Sequence, residues 1–98
     1  MRVISQDGTI DMPYEMSIVW CEDSGAVLLQ PIGETGEYQT FAKYSTEEKA
    51  KKAMEELRYA YMCHTLVKMG QTPPDGTDEK LTMGLSGVFH FPAEEELE

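Results

Sequence analysis

The feature that most constrains the fold is a long amphipathic pattern in the second half of the sequence. Apolar residues recur at spacings of three and four over residues 50–67, as on the core-facing side of an α-helix. A Ser-Thr-Glu-Glu segment just before it fits a capping box, in which Ser45 accepts a hydrogen bond from the amide of Glu48. Gly70 is a suitable stop residue. The sequence therefore predicts a helix over residues 46–69.

Short strand patterns, separated by turn residues, fill the first half of the chain. The opening Met-Arg-Val-Ile-Ser is one strand, and the Asp7-Gly8 turn follows it. Three further strands with short turns between them predict an antiparallel meander over segments 14–21, 26–32 and 38–45. A last strand at 88–92 ends at its proline. The predicted class is α+β, with a small antiparallel sheet (the meander plus the C-terminal strand) packed on one long helix.

Length and charge narrow the range of functions. The 98 residues predict a single domain over 1–98, with a solvated, frayed acidic tail at 93–98. Eighteen acids against eight bases give a net charge of −10, which argues against general nucleic-acid binding and against an anionic membrane surface. The same charge favours a basic protein partner. The sequence shows neither a signal-peptide pattern nor a membrane span, so a cytoplasmic location is predicted.

The sequence has no recognisable catalytic or metal-binding motif. Cys21 and Cys63 are far apart and belong to no Cys/His set with the spacing of metal ligands. The chain has no nucleophile elbow, no zinc-protease motif and no phosphate loop. We therefore expect a protein that is not an enzyme and needs neither a metal nor a cofactor.

Positive charge is concentrated on the predicted helix. Six of the eight Lys and Arg residues fall between Lys43 and Lys68. A solvated face with (i, i+4) ion pairs accounts for the lysines. Arg58 is different because it lies near the apolar stripe, where its planar guanidinium could sit beside Tyr61 and stack on a base or pair with a phosphate. An ordinary surface arginine is the alternative.

The closing strand and the opening turn offer weaker candidates. Phe89 and Phe91 share one face of a strand and His90 points to the other, so the phenylalanines are typical of a core and His90 of a surface, edge or interface. The Asp7-Gly8-Thr9 turn exposes backbone amides and a hydroxyl that could hold an anion, although such turns are common.

Three segments carry a resemblance to a known family. They are the Met-Arg-Val-Ile-Ser-x-Asp-Gly opening, the Tyr-Ser-Thr-x-x-Lys-Ala helix start and the Phe-x-Phe-Pro ending followed by acids. They lie within residues 1–15, 44–61 and 88–98. Taken together they resemble the phage and prophage Thoeris anti-defence sponges.

The resemblance implies non-catalytic capture of a cyclic nucleotide immune signal. Members of that family bind a cyclic ADP-ribose isomer, some also hold cyclic oligonucleotides, and they assemble as homo-dimers or hexamers. His90 stands where several relatives have arginine, so phosphate pairing would weaken there while stacking could survive. The ligand-binding residues that the resemblance and the patterns above suggest are Arg58, Tyr61, His90, Phe91 and Pro92, with Arg2, Gly8 and Thr9 from the shared opening as contributors to an assembly site.

Two other functions are compatible with the same sequence. An acidic phage protein could inhibit a basic host protein, for example by mimicking nucleic acid, and the net charge of −10 and the acidic tail favour this alternative. A small structural phage protein is the third possibility, and it would bind neither a nucleotide nor a host enzyme.

Overall fold

The computed structural model describes residues 1–33, 36, 38–69 and 87–97. The predicted helix stop at Gly70 lies outside the described residues. The helix, α1, runs from Glu47 to Lys68. The strands are β1 Arg2–Ile4, β2 Asp11–Pro13, β3 Ser17–Cys21, β4 Ala26–Pro31, β5 Gln39–Lys43 and β6 Val88–His90, and short 3-10 turns occupy Tyr14–Met16 and Glu94–Glu96.

The strands form two three-stranded sheets, and α1 packs against the strands, so the predicted α+β class is confirmed. The meander is also confirmed, because β3, β4 and β5 are neighbours in antiparallel order. The C-terminal strand differs from the prediction. β6 joins a separate sheet of order β2-β1-β6, in which it pairs parallel with β1 and places Val3 beside Phe89. A parallel pair needs a long crossover, which the chain between β1 and β6 supplies.

The core lies between the helix and the inner faces of the two sheets. The buried face of α1 is built mainly from small side chains, which lets the helix approach the strands closely. Val3 and Phe89 are fully buried on the first sheet, as are Val27 and Leu29 on the second. The helix contributes Ala50, Ala53, Leu57 and Ala60 to this core, as the apolar stripe predicted.

The helix cap lies one residue later than predicted. The hydroxyl of Thr46 accepts a hydrogen bond from the amide of Lys49 at 3.2 Å, so Thr46 is the capping side chain. The amide of Ser45 instead donates to a carboxylate oxygen of Glu94. The predicted capping box of Ser45 with Glu48 is therefore wrong, because a carboxylate distant in sequence takes the polar groups of Ser45.

The same contact corrects the prediction of a frayed tail. Leu97 is 5% exposed and belongs to the core cluster, and Glu94 also lies 3.7 Å from the Nζ of Lys49. Hydrogen bonding from the backbone of Ser45 lowers the pKa of Glu94 below its usual value. Residues 93–97 are thus held against the start of α1 by one buried apolar side chain and one anchored carboxylate.

Gln6 joins the two sheets. Its amide donates to the carbonyl of Phe41 at 2.6 Å, and its side-chain oxygen accepts from the amide of Lys43 at 3.1 Å. Its Nε2 donates to the carbonyl of Pro92 at 3.2 Å, which also accepts from the Tyr44 hydroxyl at 2.8 Å. Gln6 follows β1 and hydrogen-bonds both to β5 and to Pro92, which follows β6. These bonds fix the position of one sheet relative to the other around the core.

Candidate functional site

A cleft between α1 and β3, lined by residues of the described part of the chain, has a volume of about 420 Å³. The helix contributes side chains three and four positions apart, which places them on one face. Ser17 and Val19 alternate along β3 and so share the face that looks toward the helix. The lining residues are Tyr14, Glu15, Ser17, Val19, Met54, Leu57, Arg58 and Tyr61.

Two tyrosine rings form the aromatic part of the cleft. The ring centroids of Tyr14 and Tyr61 are 4.7 Å apart with a tilt of 46°. His64 extends this group one helical turn further, with its ring centroid 6.4 Å from that of Tyr61. Aromatic faces of this kind are surfaces on which a planar ring can stack.

Of the two charged side chains that line the described part of the cleft, Glu15 has an ion-pair partner and Arg58 does not. Arg58 is exposed and forms no ion pair with any residue in the described part of the chain. Glu15, the one carboxylate among the described lining residues, accepts from the Met1 ammonium through both of its oxygens, at 2.8 and 2.6 Å. That hydrogen bond lowers the pKa of Glu15. Glu15 is thus matched by a cation already, whereas Arg58 has no carboxylate partner among the described residues.

His90, which was predicted for the same site as Arg58, lies elsewhere, and so does Arg2, which was predicted for an assembly site. Val3 and Phe89 point into the core from β1 and β6, so their neighbours Arg2 and His90 face outward. Arg2 pairs with Asp11 on β2, and this contact raises the pKa of Arg2. The structure therefore unites Arg58 with Tyr61 in one cleft but does not bring His90 or Arg2 to it within one chain.

Phe91 belongs to the hydrophobic core, and Pro92 accepts hydrogen bonds at the edge of that core. Phe91 is 0% exposed and packs edge-to-face on Phe89 at 5.2 Å and on Phe41 at 6.3 Å between ring centroids. The carbonyl of Pro92 accepts the bonds from Gln6 and Tyr44 described above. The prediction that Phe91 contacts a ligand is corrected, because its ring is enclosed by other aromatic rings.

The turn at Gly8 and Thr9 already holds an anion, which belongs to the chain itself. The Asp7 Oδ1 accepts from the Ser5 hydroxyl at 2.7 Å and from the amide and hydroxyl of Thr9 at 3.0 and 2.7 Å. These bonds lower the pKa of Asp7 to about 2. Gly8 supplies the positive φ of +79° that the turn needs. The predicted anion-binding groups of Thr9 are therefore occupied by Asp7.

Replacing Ser5 with alanine is expected to lower the free energy of unfolding by about 1–3 kcal/mol at pH 7. Ser5 is 1% exposed, and its hydroxyl also accepts from the amides of Thr9 and Ile10, so the part-buried Ile10 amide loses its acceptor in the variant. Urea unfolding of both proteins measures this difference.

The pH dependence of that difference is a second readout. The folded-state pKa of Asp7 is depressed, so its stabilisation is present above its unfolded pKa of about 4 and is lost as pH falls through about 2. Ser5→Ala removes the largest cause of the depression. The stability gap between wild type and variant should therefore narrow as pH falls from 5 toward about 2; a gap that stays constant would contradict the assigned network.

Sequence reasoning missed Tyr14 and Glu15 as members of the cleft. Both belong to a segment interpreted as the start of a strand, whereas residues Tyr14–Met16 form a 3-10 turn. This turn brings Tyr14 against Tyr61, which is distant in the sequence. A local pattern carries no signal for such a pairing.

A scan against protein-family models finds no match for this chain, and neither do searches of curated proteins and of solved structures. Within the described ranges, no cluster of three or more His, Cys, Asp or Glu side chains has the arrangement of a metal site. No helix in the described part of the chain is both long enough and apolar enough to cross a membrane.

Proposed function

We propose that the protein is a non-catalytic binding protein that holds a small nucleotide-like anion in the α1–β3 cleft. The observation that carries the proposal is Arg58 without an ion-pair partner among the described residues, beside the tilted pair of Tyr14 and Tyr61 rings. A guanidinium forks onto phosphate oxygens, and tyrosine rings stack on a base. The volume of about 420 Å³ lies within the ordinary range for small-molecule sites.

The wall of the cleft supports binding rather than chemistry. Val19, Met54 and Leu57 line it with apolar surface, which would exclude water from one side of a planar ligand. Ser17 is committed, because its hydroxyl donates to the carbonyl of Pro13 at 2.6 Å. No described residue in the lining pairs a nucleophile with a base, which is the arrangement that covalent catalysis requires.

The specific ligand in this proposal is a cyclic ADP-ribose isomer or a cyclic oligonucleotide, captured in the host cytoplasm by a phage or prophage protein. The support for it is the resemblance to Thoeris anti-defence sponges. Stoichiometric capture lowers the free signal only if the dissociation constant is below the ligand concentration and release is slow. The net charge of −10 does not forbid an anionic ligand, because at physiological salt charges beyond about 8 Å are largely screened.

Replacing Arg58 with glutamine is expected to weaken binding of cyclic ADP-ribose isomers by about tenfold to a hundredfold, the cost of one lost charge-assisted hydrogen bond. Isothermal titration calorimetry with each isomer, and with cyclic oligonucleotides, measures the effect. Lys52→Gln is the matched control, because Lys52 is an exposed helix cation outside the cleft and its removal changes the net charge by the same amount.

Three results distinguish the possible outcomes. Loss of affinity in Arg58→Gln with an unchanged Lys52→Gln supports the cleft. Equal losses in both variants would mean that only overall charge matters. No heat from wild type with any of these ligands would reject the nucleotide proposal, provided that circular dichroism shows a folded protein.

The second candidate function is inhibition of a basic host protein. The net charge of −10 favours it, since such a surface steers a cationic partner toward the chain. Binding of this kind weakens as salt rises and does not depend on Arg58. A complex with a basic host enzyme that forms equally well with Arg58→Gln would therefore favour this function over nucleotide capture.

A further inference from the structure

Glu15 gives the α1–β3 cleft a hydrogen-bond acceptor that neither phosphate pairing nor ring stacking uses. It is the one carboxylate among the described lining residues. Arg58 is a donor without an acceptor atom, and the hydroxyl of Ser17 already donates to the carbonyl of Pro13. A ligand that carries a hydrogen-bond donor therefore meets the strongest acceptor of this lining at Glu15.

Met1 holds the Glu15 carboxylate in a fixed position. The Met1 ammonium donates to both carboxylate oxygens, at 2.8 and 2.6 Å. The amide of Tyr14 donates to the carbonyl of Met1 at 2.8 Å, so the 3-10 turn that carries Glu15 is tied to the same residue through its backbone. The ring of Tyr14 in turn lies against Tyr61. The carboxylate is thus preorganised beside the aromatic part of the cleft, which lowers the cost of ordering it on binding.

The contact with Met1 leaves acceptor capacity on Glu15. An ionised carboxylate has about four acceptor positions, and an ammonium that bridges both oxygens takes one on each of them. The Glu15 side chain is 40% exposed, so a ligand in the cleft can reach the remaining positions. Because the ammonium lies between the two oxygens, these positions point away from each other, and each one suits a single donor.

The local charges indicate which donor fits. The Met1 ammonium and Arg58 are two cations and Glu15 is one anion, which leaves a net charge of +1. A further cation beside Glu15 would be repelled by the Met1 ammonium, whereas a neutral hydroxyl would not. Glu15 and Arg58 form no ion pair with each other, although the structure describes both. A ligand that binds both therefore carries its anion and its neutral donor at separate places.

A nucleotide has this arrangement of groups. Arg58 and Tyr61 lie one turn apart on the helix wall, and Glu15 belongs to the turn on the opposite wall. A phosphate on Arg58 and a base on Tyr61 would leave the sugar between them, because the sugar joins the two. The sugar would then face Glu15 across the cleft, with its hydroxyls as the neutral donors.

We propose that Glu15 selects ribose over deoxyribose by accepting a hydrogen bond from a 2′- or 3′-hydroxyl of the bound nucleotide, with Met1 as its positioning group. This inference rests on the proposed function, since it takes a nucleotide to occupy the α1–β3 cleft. A deoxynucleotide would cover the same acceptor position of Glu15 without supplying a donor. A charged acceptor that loses its partner in this way discriminates strongly against the analogue that lacks the hydroxyl.

An NMR titration of the full chain with adenosine 5′-monophosphate (AMP), 2′-deoxy-AMP and 3′-deoxy-AMP tests the proposal. We expect at least one deoxynucleotide to bind about tenfold more weakly than AMP or worse, the cost of one hydrogen bond to a charged group. In Glu15→Ala the three nucleotides should bind within about twofold of each other, because the acceptor is gone. The ratio of affinities is the readout, since removing an anion from the cleft changes the affinity for all three together.

Glu55→Ala is the matched control. Glu55 is an exposed helix carboxylate outside the cleft lining, and its removal changes the net charge by the same amount, so this variant should keep the wild-type preference. Glu15→Gln is the second variant, to be used if circular dichroism shows that Glu15→Ala does not fold. It keeps an oxygen for the Met1 ammonium, and its neutral acceptor should reduce the preference to about threefold.

The failure of this inference differs from the failure of the proposed function. Equal binding of AMP and both deoxynucleotides to wild type would overturn the role of Glu15 and leave nucleotide capture intact. A preference that persists in Glu15→Ala would do the same, as would a loss seen only with purine riboside 5′-monophosphate, which lacks the amine of the base. Absence of AMP binding also overturns the role of Glu15, whereas nucleotide capture fails only if cyclic ADP-ribose isomers and cyclic oligonucleotides give no heat either.

Discussion

Replacing Gly25 with alanine is expected to lower the free energy of unfolding by about 4 kcal/mol or more, which is among the largest effects that a single substitution has. Gly25 has φ of +93°, where side chains are strained, and an added Cβ would lie 2.2 Å from the carbonyl oxygen of Tyr44. The carbonyl carbon of Tyr44 would lie at 3.0 Å. Both are backbone atoms, so no side-chain rotation can relieve the clash.

The clash falls at a junction of the fold. The carbonyl of Gly25 accepts from the amide of Tyr44 at 2.9 Å, which ties the β3–β4 turn to the end of β5 just before the helix begins. Tyr44 is itself 1% exposed, and burial raises the pKa of its hydroxyl. Moving Tyr44 to make room would disturb the helix start and the buried hydroxyl together. Because small domains have only about 5–15 kcal/mol of stability, we expect a substantial unfolded fraction.

Gly8→Ala is the matched control for this prediction. Gly8 also has a positive φ, +79°, but an added Cβ there would meet no atom within 4 Å. Only conformational strain remains, at a cost of about 1–2 kcal/mol. Urea unfolding followed by circular dichroism measures the free energy of unfolding of both variants. Gly8→Ala reports backbone strain alone, and Gly25→Ala reports strain together with the steric clash. Similar losses in the two proteins would show that the approach of Gly25 to Tyr44 is not as close as described.

Local patterns predicted the elements of this fold, and long-range contacts decided how the elements combine. The helix was predictable because one apolar stripe recurs over many turns, and the meander because short turns leave few other pairings. The parallel pairing of β6 with β1 depends on residues at opposite ends of the chain. The anchoring of Ser45 by Glu94 is of the same kind, which explains why both the cap and the tail were mispredicted.

The candidate site likewise combines residues that local spacing could predict with residues that only long-range contacts bring together. Arg58 and Tyr61 are one turn apart on a helix, so their proximity could be predicted from spacing alone. Tyr14 and Glu15 reach the cleft only through the 3-10 turn and its contact with the helix. His90 was grouped with Arg58 by resemblance, but it faces outward from β6 and is not among the described residues that line the cleft.

Replacing Phe91 with alanine is expected to lower the free energy of unfolding by about 3–5 kcal/mol, the usual cost of removing a buried aromatic ring and leaving a cavity. Phe91 is 0% exposed and packs between Phe89 and Phe41. Its amide also donates to the carbonyl of Ile4 at 3.1 Å, so the residue extends the β1–β6 pairing while its ring fills the core. Thermal or urea unfolding measures the loss directly.

His90→Ala is the informative comparison, because the neighbouring side chain points to the opposite side of the same strand. His90 is exposed, so its removal should change stability by no more than about 0.5 kcal/mol. If Phe91 instead served a ligand, its variant would keep wild-type stability and lose binding to cyclic ADP-ribose isomers. Because three aromatic rings enclose one another here, we expect the opposite: a destabilised Phe91→Ala whose folded fraction binds through Arg58 as before.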